Sequence, residues 1–194
     1  MTARGYVVFG VVGLLALLGC QKTKSVKESP TPGKEQKMTK LTVESAAFAA
    51  GEAIPKKYAY RGEGDNVSPP LTWAGAPEGT RSFALVCDDP DAPSPRNPRE
   101  NPWVHWVVYN IPPDRTALEE GDAGGVQGKS DFKERGWGGP MPPPGSGTHR
   151  YFFKVYALDT KLALGEGATK AELLKAMEGH ILGQGEIHGT YTRQ

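Results

Sequence analysis

Three short stretches hold side chains whose types and spacing suit chemistry. Asp88-Asp89-Pro90-Asp91-Ala92-Pro93 puts three carboxylates into four residues at the end of an apolar run, and two prolines stiffen the backbone that carries them. Asp and Pro also make ordinary turns, which is the competing reading. His105 stands inside the apolar and aromatic run Trp103–Ile111, where a polar ring needs a partner and nearby aspartates can supply one. By simple alternation His105, Val107 and Tyr109 share one face of that run, and Val104, Trp106 and Val108 the other. The third stretch, residues 136–147, is dense in glycine and proline and leads into Thr148-His149-Arg150-Tyr151. Irregular segments of that length inside a compact domain usually serve a purpose. Its glycines let backbone amides approach an anion, and its prolines keep the loop stiff. His149 and Tyr151 have the same strand parity, so both can face one space; a stiff surface loop with a solvated histidine is the alternative.

The elements that must position these residues are mostly strands. Residues 41–45 alternate, while residues 82–88, Trp103–Ile111 and 151–158 are β-branched and aromatic runs bounded by Gly and Pro clusters. The dense Gly, Pro, Asn and Asp content of residues 58–77 reads as connected turns, and a last strand is predicted over 186–192. One helix is marked by the capping-box pattern Thr169-Lys170-Ala171-Glu172, a stripe of Leu173, Leu174 and Met177, and Gly179 as a stop. The fold class that follows is mainly β, an antiparallel β-sandwich with one or two peripheral helices.

The first 40 residues have a different texture. An apolar and glycine run over 6–19 is too short to cross a bilayer but has the length of a signal-peptide core. It ends in Leu17-Leu18-Gly19-Cys20, which resembles the lipobox of bacterial lipoproteins. That resemblance implies cleavage of residues 1–19, lipidation of Cys20 and a lipid-anchored place in the cell envelope; Gln21 favours the outer membrane if the cell has one. Residues 20–40 read as a flexible tether, since 21–40 hold six lysines, two glutamates and almost no large apolar side chains. Residues 41–194 then form the folded domain, with 16 basic and 20 acidic side chains. A formal net charge of +1 gives no sign of a nucleic-acid partner. With Cys20 taken by lipid, Cys87 has no disulfide partner and reads as a small buried apolar residue.

Taken in order, Asn66-Val67-Ser68-Pro69-Pro70-Leu71-Thr72-Trp73, Asp89-Pro90-Asp91-Ala92-Pro93, His105-Trp106-Val107-Val108-Tyr109-Asn110-Ile111-Pro112, Gly147-Thr148-His149-Arg150-Tyr151 and Gly189-Thr190-Tyr191 closely resemble the phosphatidylethanolamine-binding protein family, which includes the Raf kinase inhibitor protein. The resemblance covers most of residues 41–194 and is closest to the bacterial and archaeal branch. It implies a small pocket that receives phosphate, acetate, phosphoethanolamine or phosphorylated side chains. Carried over by motif, Asp89 and Asp91 belong to the pocket rim, His105 and His149 are its histidines, and Tyr151 and Trp103 are its aromatics. Gly139 and Pro143 belong to the loop that closes its mouth. Asp89-Pro90 and Ala92-Pro93 are the candidate cis peptides. Met141 departs from the animal pattern of a glycine in the closing loop, and the animal members' C-terminal helix has no counterpart. Their phospholipid preference is therefore not carried over.

The mechanism expected from these residues is anion binding. Imidazolium forms of His105 and His149 donate to a small anionic or phosphorylated ligand, glycine-loop amides add to them, and Asp89 and Asp91 orient the rings and raise their pKa. No cofactor or metal is implied. A protein target, an envelope protease or a kinase, is the alternative by analogy with the family. A phosphoester hydrolase is a lesser alternative, because Gly-x-Ser-x-Gly, His-Glu-x-x-His and P-loop patterns are absent; the chain is read as a binder, not an enzyme.

Overall fold

The computed structural model describes residues 38–194. The readings of residues 1–19 as a signal peptide, of Cys20 as a lipidation site and of most of 20–40 as a tether lie outside the described residues. The tether's last two residues do not stay free: Thr39–Lys40 form strand β1.

Among the described residues, nine strands make two sheets. The larger runs in the order β1, β9 (Ile181–Thr192), β8 (Thr148–Leu158), β4 (Ser82–Asp89), β5 (Trp103–Ile111), β7 (Val126–Gln127). The smaller runs β2 (Thr42–Glu44), β3 (Leu71–Ala74), β6 (Ala117–Leu118). β1 lies parallel to β9, so the larger sheet is mixed where an antiparallel sandwich was expected. β3 falls inside the segment read as turns; its four alternating residues are too few to stand out between Pro69-Pro70 and Gly75.

The core lies in two layers. Between the sheets, Val43, Leu71 and Trp73 meet Phe83, Leu85, Trp106 and Phe153. On the outer face of the larger sheet, Ala84, Val86, Val107 and Tyr109 pack under Leu162 and helix α1 (Lys170–Met177). β4 is covered on both faces, which explains its apolar run Phe83–Cys87. The capping box at Thr169 forms, with the Thr169 backbone N–H donating to Glu172 Oε2 at 2.8 Å, and Gly179 takes a left-handed φ of +78° just past the helix. Of the predicted stripe, Leu173 and Met177 are buried and Leu174 is exposed.

β5 departs from simple alternation at two places, and both matter. Cys87 and Asp88 of β4 pair with Trp106 and Val104, which leaves His105 as an extra residue. Such a bulge turns two successive side chains to one side. His105 therefore joins Trp106 on the side of the inter-sheet core, where both rings lie against Trp137. Val107 and Tyr109, expected on its face, point to the helix side. The second irregularity lies between Phe83 and Leu85, opposite Ile111 and Val108. Asn110 takes φ +56° there, and its amide group accepts from Leu162 N–H at 2.8 Å and donates to Leu162 O at 2.9 Å. The bulged strand thereby ties down the segment that covers its outer face.

Candidate functional site

A cavity of about 320 Å³ opens where the ends of β4, β5 and β8 meet. β4 contributes Asp89, β5 contributes Trp103 and, through the bulge, His105, and β8 contributes His149 and Tyr151. Ala92 and Pro93, joined by a cis peptide, close one side; the Asp89–Pro90 bond, also a candidate, is not cis. The loop after Gly139 adds Met141, Pro142 and Pro143, and Phe132 and Arg193 complete the wall.

The three carboxylates do not face one another. Alternation sends Asp88 to the helix side, where Lys154 and Lys170 donate to it at 2.9 and 2.5 Å. Asp89 turns to the cavity side. Its Oδ2 accepts from Nδ1 of His149 at 2.7 Å, and its Oδ1 accepts from the backbone N–H of Asp91 at 2.7 Å. Asp91 is taken up by Arg150, whose Nε and Nη2 each donate at 2.8 Å and whose backbone N–H donates at 3.0 Å. The Arg150 guanidinium holds the Asp91 carboxyl below the usual aspartate range. Asp91 therefore orients no ring and lines no part of the cavity, contrary to expectation. It is a staple between the turn after β4 and the start of β8.

The two histidines differ. Nδ1 of His105 donates to the carbonyl of Gly138 at 2.5 Å, which fixes the tautomer and leaves Nε2 as the ring's other polar atom. Burial pushes the His105 pKa below the ordinary value, against the smaller opposing pull of the Gly138 carbonyl and of Asp89. With its pKa lowered from 6.5 this ring is neutral near pH 7, so the expected standing imidazolium at His105 is corrected: its Nε2 is an acceptor. His149 is held between Asp89 and Ser146, whose Oγ lies 3.1 Å from Nε2.

The glycine-loop amides are also engaged elsewhere. Gly138 N–H donates to the carbonyl of His105 at 2.9 Å, and Gly139 N–H donates to Oδ1 of Asn66 at 2.9 Å. A Cβ at Gly139 would sit 2.1 Å from the Tyr58 carbonyl. Gly139 lets the loop pack on residues 58–60, Gly138 lies against the Phe132 ring, and Gly139, contrary to expectation, does not line the cavity. Tyr151 does. Its hydroxyl is buried and has no hydrogen-bond partner among the described residues, and burial together with Asp89 raises its pKa. A buried hydroxyl without a partner costs about 1–3 kcal/mol.

Phe132, Arg193 and Ser146 were not singled out from the sequence. Phe132 stacks on Tyr60 at 4.3 Å and sets its edge geometry against Trp103 and His105, each 5.4 Å away. It comes from an irregular segment with no periodicity, so no sequence signal marks it. No group of three or more His, Cys, Asp or Glu fit for a metal ion exists among the described residues.

A family model described as "Phosphatidylethanolamine-binding protein" matches residues 44–192. A UPF0098 protein of Methanothermobacter thermautotrophicus is 49% identical over 160 residues, covering 79% of this chain and 99% of its own. A UPF0098 protein of Chlamydia muridarum is 46% identical over 153 residues, covering 78% and 98%. Among solved structures, a phosphatidylethanolamine-binding protein homologue from Chlamydia trachomatis is 41% identical, with a TM-score of 0.72 over 80% of this chain and 99% of that one. YbcL of Escherichia coli, described as a member of the mammalian family, is 36% identical with the same coverage and TM-score.

Proposed function

The chain belongs to the phosphatidylethanolamine-binding protein family, a family of ligand-binding proteins, and from that premise we propose that its cavity binds a small phosphate-like anion. The observation that carries this reading is that Tyr151, whose buried hydroxyl has no partner among the described residues, lines a cavity of about 320 Å³ together with His105 and His149. A phosphate or small phosphomonoester fits such a volume. Tyr151 donates to one oxygen. A protonated oxygen of the ligand donates to Nε2 of His105, or that nitrogen takes up the proton and becomes a charged donor. Arg193 lends positive charge to the wall, although its Nε also donates to Glu63 at 3.1 Å.

Because His105 is neutral before binding, an anion that stabilises its charged form is bound together with a proton. Affinity then falls as pH rises, by up to about tenfold per unit across the window between the free and bound pKa values. Calorimetric titration of the full chain in detergent with inorganic phosphate between pH 5 and 8 tests this. Heat that weakens with rising pH and vanishes in His105→Ala is expected. A flat profile, or phosphate heat unchanged in His105→Ala, rejects it.

The same reading places the protein on a membrane through Cys20, supported by the run that ends in Leu17-Leu18-Gly19-Cys20. Incorporation of labelled fatty acid that disappears in Cys20→Ala is the expected result, and incorporation that persists counts against it.

A further inference from the structure

Ser146, His149 and Asp89 stand in one line of hydrogen bonds. Oγ of Ser146 lies 3.1 Å from Nε2 of His149, and Nδ1 of the same ring lies 2.7 Å from Oδ2 of Asp89. The ring and the carboxylate are both buried, and the other oxygen of Asp89 is held by Asp91 N–H at 2.7 Å. A carboxylate oxygen only accepts, so the Nδ1 position carries the proton of the neutral ring. Nε2 then keeps its lone pair, and the hydroxyl of Ser146 is the donor in the outer bond. A hydroxyl, a base and an orienting carboxylate in these relations are the parts of nucleophilic acyl transfer. Anion binding makes no use of Ser146.

Three further observations fit the same chemistry. Ser146 is half-buried and lies between Gly145 at φ +71° and Gly147 at φ +106°, so the chain turns sharply on each side of it. Tyr151 lines the cavity that His149 also lines, and its hydroxyl, buried and without a partner among the described residues, is the donor assigned to a developing oxyanion. Trp103, Phe132, Pro142 and Pro143 make much of that cavity apolar, which suits a short aliphatic or small aromatic acyl group.

The geometry points to Ser146 as a nucleophile that is acylated by small activated esters, with His149 as its base and Asp89 as the residue that positions the ring. Oγ bonds to the ester carbonyl carbon while its proton passes to Nε2. The tetrahedral intermediate collapses, the bond to the leaving oxygen breaks, and that oxygen departs with the proton from Nε2. Water then attacks the acyl-serine, giving its proton to Nε2. Expulsion of Oγ returns that proton to the serine and releases the carboxylic acid. No contiguous motif announces this arrangement, because Asp89 lies 60 residues before His149.

The full chain is treated with a fluorophosphonate probe, and the adduct is located by intact-mass and peptide mass spectrometry; turnover of p-nitrophenyl acetate is followed in parallel. A single adduct on Ser146 is expected, absent in Ser146→Ala and slowed on the order of 100-fold or more in Asp89→Asn. Asp89→Asn also disturbs a buried hydrogen bond, so Ser146→Ala, in a half-exposed loop, decides the matter independently. No adduct, or adducts that persist in Ser146→Ala, overturn the inference. Phosphate titration of the same sample separates the two readings: phosphate bound without labelling rejects the nucleophile alone, and labelling without phosphate binding rejects only the anion.

Discussion

Replacing Asp89 with asparagine removes one of two acceptors that this position needs. Oδ1 receives the N–H of Asp91 and Oδ2 receives Nδ1 of His149, both at 2.7 Å, and both side chains are almost fully buried. Asparagine offers one oxygen and one NH2 group. With the oxygen toward Asp91, the NH2 faces Nδ1 of His149, and two donors collide unless the ring changes tautomer. If the ring keeps its proton on Nδ1, one buried donor is left unmatched, at a cost of about 1–3 kcal/mol. If the tautomer switches, stability is largely kept but Nε2 now carries the hydrogen toward Ser146, and the base is lost. Urea unfolding measures the first outcome, and nitrogen chemical shifts of the His149 ring report the second. Asp89→Ala, which leaves both donors unmatched, is expected to cost about twice as much as the first outcome. A variant Asp89→Asn with native stability and an unchanged His149 tautomer would refute the hydrogen-bond assignment on which this reasoning stands.

Other consequences follow from the same geometry. Burial lowers the His105 pKa from 6.5, so the unfolded chain binds more protons below that pH and stability is lost as pH falls through the window to the folded pKa. The loss is at most about 1.4 kcal/mol per pH unit, and it is read as the difference in slope between native and His105→Gln chains in urea unfolding at pH 5–7; equal slopes would contradict it. Gly139→Ala would place a Cβ 2.1 Å from the Tyr58 carbonyl, so a loss of about 1–3 kcal/mol is expected in unfolding, and a loss below about 0.5 would show that the loop gives way. Asp91→Asn keeps the shape of a side chain that faces Arg150 and not the cavity, so phosphate affinity should change by less than about threefold; a tenfold loss, about 1.4 kcal/mol, would return Asp91 to the site.

The local signals proved legible where one element's own residues determine the outcome. The Thr169–Glu172 capping box forms because its donors and acceptors lie within one turn of chain. β4 and β5 were readable because strands covered on both faces carry apolar residues on both. The short β3 was missed because pairing with β2 and β6, and burial of Leu71 and Trp73, decide it more than its own four residues do. Site residues followed the same division. Asp89, Trp103, His105, Pro143, His149 and Tyr151 all line one cavity, whereas Asp91 and Gly139 lie close by in sequence but work in packing.

Hydrophobic pattern, turn chemistry and residue type, all properties of neighbouring positions, were enough to specify a β-rich domain; that its histidines and aspartates meet in a pocket at one end was implied by the family resemblance. The assignment of each polar atom to a partner was a tertiary matter. Whether Asp91 meets a ring or Arg150, and whether a glycine amide faces an anion or Asn66, depends on contacts between positions some 60–70 residues apart. A single extra residue in β5 shows the reason most clearly: the bulge exists only through the register with β4, and it is this register that turns His105 from the face its sequence parity indicates into the cavity.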